Sequence, residues 1–178
     1  MVPVQAQALP TSQESDIVPD KIRDGIDLQI NGEHYRHTGD PQMPLLWYLR
    51  DILRLTGTKY AGENGENGAD LVLFNDKAIS AITQTVTAAS GKRVVTVEGL
   101  AATDGTLSPL QQAFIDEDAI GCGYCTPGWL IAATALLKRT PKPADADIDQ
   151  LPNVCRCGCQ TRVRRAIKRT ANGKAGQP

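Results

Sequence analysis

The sequence predicts an α+β fold in two parts, a strand-rich half folded around one helix and a half built from four short helices. Three observations support this prediction. Apolar and polar residues alternate at the period of a strand over much of residues 25–100, helical spacing replaces this alternation after the linker 100–106, and all five cysteines lie between residues 122 and 159. The linker, LAATDGT, contains Gly and Asp, which interrupt both periods.

The strand-rich half, 25–100, begins with a predicted hairpin. Apolar residues alternate with polar ones from 26 to 30, and the pair Asn31-Gly32 favours a two-residue turn before a second strand at 34–37. Leucine and isoleucine then recur at helical spacing over 44–55, which predicts a helix that starts near Pro44. The remaining predicted elements are a glycine-rich loop at 61–70, a second hairpin over 71–74 and 78–82 that turns at Asn75-Asp76, and a strand at 93–97.

The helical half, 107–170, carries clear signals for helix starts. Ser108 and Pro109 suit the N-cap and the first position of one helix, and Thr126 and Pro127 suit the same positions of the next. The four predicted helices cover residues 108–120, 126–139, 144–151 and 161–170. Outside the two halves, we expect a flexible polar extension at 1–24 and a short tail at 171–178.

Charge and hydropathy limit the function classes. A formal net charge of −1 argues against a general nucleic-acid binder. No run approaches the roughly 18 apolar residues of a membrane span, and the N-terminus lacks the pattern of a signal peptide. We therefore expect folding in the cytoplasm, with a periplasmic or membrane-associated location open through partner subunits. The last helix has a basic stretch that is either a solvated face or a docking surface, formed by Arg162, Arg164, Arg165, Lys168 and Arg169.

Four cysteines form two closely spaced pairs, Cys122-Gly-Tyr-Cys125 and Cys155-Arg-Cys157, and 29 residues (126–154) separate them. Each pair is expected beside a helix N-terminus, where free backbone N–H groups offset the charge of thiolates. Clustered cysteines without a secretion signal indicate a metal rather than disulfides. Both zinc and an iron–sulfur cluster take four thiolates, and the spacing leaves both open, although Cys-x-Cys is unusual for zinc ribbons.

The fifth cysteine, Cys159, follows Cys157 by two residues. A buried or spare thiol is the simpler interpretation, and a ligand or redox role is the alternative. A redox sensor that uses Cys159 and its neighbours is a third functional hypothesis beside the two developed below.

The segments GCGYCTPGWLIAA and NVCRCG, with the arginine-rich helix after them, closely resemble the helical domain of the iron–sulfur subunits of the xanthine dehydrogenase and aldehyde oxidoreductase family. Upstream, PLLWYLRDILRLTGTKY and KRVVTVEGLA resemble the same family, so the resemblance covers 25–170. It implies a plant-ferredoxin-like (β-grasp) domain at 25–100 and a four-helix domain at 107–170. It also implies that the second domain binds one 2Fe–2S cluster through Cys122, Cys125, Cys155 and Cys157.

The resemblance further implies a large partner subunit that holds a molybdenum–pterin cofactor, with Cys157 beside the pterin. That partner would oxidise an aldehyde or an N-heterocycle, and this chain would only move electrons. The non-catalytic electron-transfer subunit of an oxidoreductase is the leading hypothesis. The alternative is a non-redox scaffold or assembly protein, either with zinc on the four cysteines or without a cluster.

The ferredoxin-type cluster of the family is expected to be missing. Its ligand positions, counted from GTKY, fall on residues that cannot supply a thiolate: Gly62, Asn67, Asp70 and Ile82. Electrons must then leave from the single cluster to an acceptor such as a cytochrome subunit. A hard cation such as calcium, held by Glu63, Glu66, Asn67 and Asp70, is a minor alternative to a solvated loop.

Two further departures lie beside the predicted ligands. Gly121 stands where the family usually has a glutamine that is associated with the pterin contact, and Cys159 stands where it usually has threonine. We expect the first to alter the interface with the cofactor. The second adds a sulfur near the cluster, which could tune its potential or be oxidised.

Overall fold

The computed structural model describes residues 25–173, so the predicted extension at 1–24 and positions 174–178 of the predicted tail lie outside the described residues. The described part of the chain contains one sheet of five strands in the order β2-β1-β5-β3-β4, in which β1 and β5 are parallel and the other neighbours antiparallel. The strands are β1 (Ile26–Ile30), β2 (Glu33–His37), β3 (Leu71–Phe74), β4 (Lys77–Ser80) and β5 (Arg93–Val95).

Six α-helices lie within residues 25–173: α1 (Leu45–Trp47), α2 (Val86–Ala89), α3 (Pro109–Asp116), α4 (Thr126–Arg139), α5 (Asp145–Asp149) and α6 (Gln160–Ala171). A 3₁₀ turn at Val97–Leu100 leads from β5 toward the helical half. Mixed sheet and separate helices confirm the predicted α+β class. No helix within residues 25–173 is both long and apolar enough to cross a bilayer.

Both predicted hairpins are confirmed, and their turns show why. Asn31 and Gly32 have φ values of 53° and 88°, and Asn75 and Asp76 have 49° and 67°. Two successive left-handed residues match the right-handed twist of the flanking strands, and Asn, Asp and Gly tolerate this conformation best. Local chemistry alone therefore fixes these two turns.

The predicted helix over 44–55 is shorter than expected. After α1 the chain widens into a π-helical turn at Tyr48–Ile52, in which the Leu53 N–H donates to the carbonyl of Tyr48. The helix ends because Arg54 adopts a left-handed φ of 59°. Helix α2, which begins after the Thr85 cap, was not predicted, since four residues are too few to give a periodic signal.

Three buried clusters hold the fold together. The first lies between the sheet and α1, and the second lies inside the helical half. The third joins the halves, because Leu71 and Leu73 of β3 pack against Ile131 and Ala132 of α4. Helix α4 thus rests on the sheet, and its N-terminus is held at a fixed place relative to the first half.

The basic stretch of α6 is paired with acids inside the chain, which neither interpretation anticipated. Arg165 lies 3.1 Å from a Glu117 oxygen, and Arg169 lies 3.2 Å from the other Glu117 oxygen and 3.4 Å from Asp116. The remaining pairs are Arg162–Asp118, Arg164–Asp149 and Lys168–Asp145. These cations fasten α6 to α5 and to the C-terminal end of α3.

Candidate metal centre

Both cysteine pairs lie immediately before a helix, as the sequence predicted. Cys125 is the N-cap residue of α4, and Cys159, just beyond the second pair, is the N-cap residue of α6. The expected cap at Thr126 is wrong by one residue, since α4 starts at Thr126 and no side chain caps it. Its orphan N–H groups consequently face the cysteine segment, where they can offset negative charge.

The two motifs come together as two mixed thiol pairs. Side-chain hydrogen bonds connect Cys122 with Cys157 and Cys125 with Cys155, so each pair takes one thiol from each motif. Cys122 and Cys157 are exposed and form the outer pair, whereas Cys125 is half-buried and Cys155 is buried, and these form the inner pair. The four predicted ligands thus lie in two pairs of thiols, and within residues 25–173 the cysteines form no disulfide.

Burial and backbone hydrogen bonds affect these thiols in opposite directions. Burial, helped by the neighbouring Cys155, raises the pKa of Cys125 to about 12 because an anion there loses hydration. Burial also acts to raise the pKa of Cys155, but hydrogen bonds from the backbone at 159 and 157, together with those from the side chains of Cys125 and Cys159, lower that pKa. At the outer pair, a backbone hydrogen bond from Tyr124 lowers the pKa of Cys122. A metal that binds here must displace protons, as thiolate ligation requires.

The outer pair lies on an open edge of the molecule. Three apolar side chains close to it in sequence are exposed, Ile120 at 42%, Tyr124 at 44% and Val154 at 58%. Large apolar side chains grouped on a surface commonly mark a contact with another protein. The inner pair, by contrast, is covered by the chain itself.

Gly121 has no side chain, and the atoms of Cys157 and Cys159 fill the space that a side chain would need. A Cβ at this position would lie 2.7 Å from the Cβ of Cys157 and 3.0 Å from the sulfur of Cys159. Real Cβ atoms do not approach this closely, so any side chain at 121 would push against the ligand segment. Gly121 therefore packs directly against Cys157 and Cys159, which leave no space for a side chain at this position.

Comparison with known proteins places the site in a family. The model of the [2Fe-2S] binding domain matches residues 96–168. The small FeS subunit of nicotinate dehydrogenase from Eubacterium barkeri is 38% identical over 153 residues, which are 83% of this chain and 97% of that protein. The chain belongs to the family of small iron–sulfur subunits of the xanthine dehydrogenase and aldehyde oxidoreductase enzymes. The predicted family and its 2Fe–2S cofactor class are confirmed.

Two other relatives agree with this family. The alpha subunit of isoquinoline 1-oxidoreductase from Brevundimonas diminuta is 39% identical over 153 residues, 84% of this chain and 99% of that protein. The crystal structure of quinoline 2-oxidoreductase from Pseudomonas putida 86 contains a chain with 29% identity and a TM-score of 0.74. The match covers 85% of this chain and 97% of that one. The family is one of oxidoreductase subunits, and the non-catalytic role expected of this chain is consistent with it.

The four positions predicted to match the family's other cluster make contacts within the chain. The carboxylate of Glu66 lies directly over Gly62, and Asn67 accepts a hydrogen bond from the N–H of Ala69 (2.9 Å). Asp70 is fully buried and accepts hydrogen bonds from the Ser80 hydroxyl (2.5 Å) and the Ile82 N–H (3.2 Å).

The side chain of Ile82 packs against the first core. Among residues 25–173, no three His, Cys, Asp or Glu side chains converge on a single-ion site. The calcium alternative for residues 61–70 thus finds no assembled site.

The altered loop braces the cysteine segments. The Val154 N–H donates to the Asn67 carbonyl (3.1 Å), and the buried Asn153 side chain donates to the Gly68 carbonyl (2.8 Å). On the other side, Gly128 of α4 packs so closely that a Cβ there would lie 1.9 Å from the Gly68 oxygen. The loop therefore fits between the residues just before Cys155 and those just after Cys125.

A second contact links the outer pair to the first half. The Tyr124 hydroxyl donates to the Tyr60 carbonyl (2.5 Å), and the Tyr60 ring stacks on Trp47 at a centroid distance of 5.7 Å. Sequence reasoning missed this contact and the brace at Asn153. A glycine at the third position of a strongly predicted helix was the one local sign of close packing, at Gly128.

Proposed function

We propose that this chain is the electron-transfer subunit of a molybdenum hydroxylase and holds a single 2Fe–2S cluster on Cys122, Cys125, Cys155 and Cys157. The observation that carries the proposal is the arrangement of these thiols as two mixed pairs. A 2Fe–2S cluster with four thiolates has two irons with two protein ligands each, so each pair suits one iron. Four-coordinate zinc would instead need all four sulfurs around one point.

The chain's own residues prepare this site for one-electron chemistry. A bound 2Fe–2S cluster accepts and donates one electron at a time. The backbone hydrogen bonds at Cys122 and Cys155 direct positive dipoles at the sulfurs, and the burial of Cys155 limits water on the inner side. Both features influence the potential of an iron–sulfur centre.

The open edge at the outer pair suits a contact with the large subunit that holds the molybdenum–pterin cofactor. The exposed apolar side chains of Ile120, Tyr124 and Val154 support this contact. Relatives named for nicotinate and isoquinoline favour an N-heterocycle as the substrate of that partner, and relatives named for aldehydes keep an aldehyde as the alternative.

A relay with one cluster is the distinctive part of the proposal. The positions at Gly62, Asn67, Asp70 and Ile82 offer no thiolate, so electrons pass from the single cluster to an external acceptor. A cytochrome subunit is our preferred acceptor, and the complex could then be periplasmic or membrane-associated through its partners. The first half would keep the ferredoxin-like (β-grasp) architecture at 25–100 without a cluster, ahead of the four-helix domain at 107–170.

The proposal is tested by reducing the complex with its own substrate. The full chain is purified together with its co-expressed large subunit, then mixed anaerobically with an N-heterocycle or an aldehyde. We expect the visible absorption of the cluster to bleach, and to recover when an acceptor is added. A complex that oxidises its substrate without bleaching would contradict electron transfer through this chain. A colourless chain with bound zinc would favour the scaffold alternative.

A further inference from the structure

Arg162 lies where the two cysteine-bearing segments meet. One nitrogen of its guanidinium is 3.4 Å from the sulfur of Cys159, and another is 2.5 Å from a carboxylate oxygen of Asp118. Asp118 precedes Cys122 by four residues, in the segment that leads from α3 to the first motif. Arg162 is thus anchored to one segment while its charge faces a sulfur of the other.

Cys159 connects this charge to the inner pair. Its side chain is buried in the same cluster as Cys155 and lies within hydrogen-bonding reach of the Cys155 sulfur. A cation is therefore two contacts away from a predicted iron ligand. The guanidinium keeps its charge at every pH that proteins experience, and its side chain is only 34% exposed, so solvent screens the charge incompletely.

We propose that Arg162, acting through Cys159, raises the reduction potential of the 2Fe–2S cluster. This inference rests on the proposed function, since it requires the cluster to be bound at Cys155. Reduction adds one negative charge to the cluster, and a nearby fixed cation stabilises the reduced form more than the oxidised form. The hydrogen bond from Cys159 to Cys155 acts in the same direction, because it withdraws charge from the ligand sulfur.

The effect of Arg162 on the potential is important in a relay with only one cluster. The same potential then sets the driving force for electron entry from the molybdenum side and for exit to the acceptor. Arg162 is a positioning residue in this scheme, because it touches neither the substrate nor the reacting atoms. Its effect should therefore appear in the potential of the cluster.

The test compares the midpoint potential of the cluster between variants of the full chain, each purified with the subunits that accompany it. Each sample is reduced stepwise with dithionite, and the EPR signal of the reduced cluster is measured at each potential. We expect Arg162→Gln to shift the potential to a more negative value. Lys168→Gln is the matched control, because it also removes one cation of α6 that is paired with an acid, here Asp145. Lys168 lies about 9 Å further along the helix axis than Arg162. It should leave the potential nearly unchanged.

A second variant, Cys159→Ala, keeps every arginine and removes the sulfur between Arg162 and Cys155. We expect a negative shift here too, and this variant decides the matter if Arg162→Gln fails to retain iron. Unchanged potentials in the variants that retain the cluster, or equal shifts in Arg162→Gln and Lys168→Gln, would overturn the inference. A wild-type chain without the EPR signal of a 2Fe–2S cluster would instead contradict the proposed function itself.

Discussion

Replacing Cys155 by alanine is expected to remove the iron from this chain and to stop electron flow through it. Cys155 is the most buried of the four predicted ligands, and its loss would leave Cys125 without its partner in the inner pair. No other thiolate stands at that point unless Cys159 can move. Iron and labile sulfide per chain, together with visible absorption, measure the result.

Cys159→Ala is the matched control for this change, since it removes a cysteine of similar burial two positions beyond Cys157. We expect this variant to keep its iron and its visible spectrum, with only the shift in potential described above. If Cys155→Ala keeps its full iron content and Cys159→Ala loses iron, then Cys159 rather than Cys155 is the iron ligand. That result would contradict the proposed ligand set.

Gly128→Ala is expected to be the most destabilising single-methyl change in the junction between the two halves. The new Cβ would lie 1.9 Å from the Gly68 oxygen and 3.0 Å from the Cα of Ala69, so backbone rather than a mobile side chain must move. Overpacking of this kind costs about 3 kcal/mol. The free energy of unfolding in urea measures this loss.

Gly105→Ala is the control for the same chemical change. Gly105 has a left-handed φ of 85°, and a Cβ there would meet nothing within 4 Å. The conformational penalty alone should cost about 1 kcal/mol. Equal losses in the two variants would show that the loop at 61–70 does not brace α4. A lower iron content in Gly128→Ala than in Gly105→Ala would further support the role of this brace in placing Cys125.

Local signals in the sequence predicted those parts of the fold that local chemistry fixes. Asn31-Gly32 specifies a hairpin because few other pairs tolerate two left-handed residues, and the aliphatic run over 126–139 gives a helix with the predicted limits. The helix predicted over 44–55 ends early, since its periodicity continues past Arg54, where the backbone turns left-handed. Periodicity reports which residues face the core and says little about where a helix stops.

The candidate site was predictable in composition but not in arrangement. Spacing identified two pairs of cysteines, yet the pairing of Cys122 with Cys157 depends on how α4 and α6 pack. The same holds for the contacts of Asn153 and Arg162, which join residues 85 and 44 positions apart in the chain. Such contacts leave no local signature, because neither partner needs an unusual residue type on its own.

The packing of Gly121 against Cys159 shows how a departure from a family acquires a physical meaning. In the sequence, Gly121 predicts an altered interface with the cofactor, and Cys159 predicts an additional sulfur near the cluster. In the structure the sulfur of Cys159 occupies space that a side chain at 121 would need, and it also contacts Cys155. Gly121 and Cys159 are therefore neighbours in the packing around Cys157.

The most direct test of the central claim is the number of irons and labile sulfides in the full chain, purified anaerobically with its partner subunits. We expect two irons and two sulfides per chain, since the four thiolates of the two mixed pairs suit one 2Fe–2S cluster. The loop at 61–70 contains no cysteine and offers no thiolate for a second cluster. Four irons and four sulfides would show a second cluster and contradict the shortened relay. Zinc in place of iron would contradict the electron-transfer function.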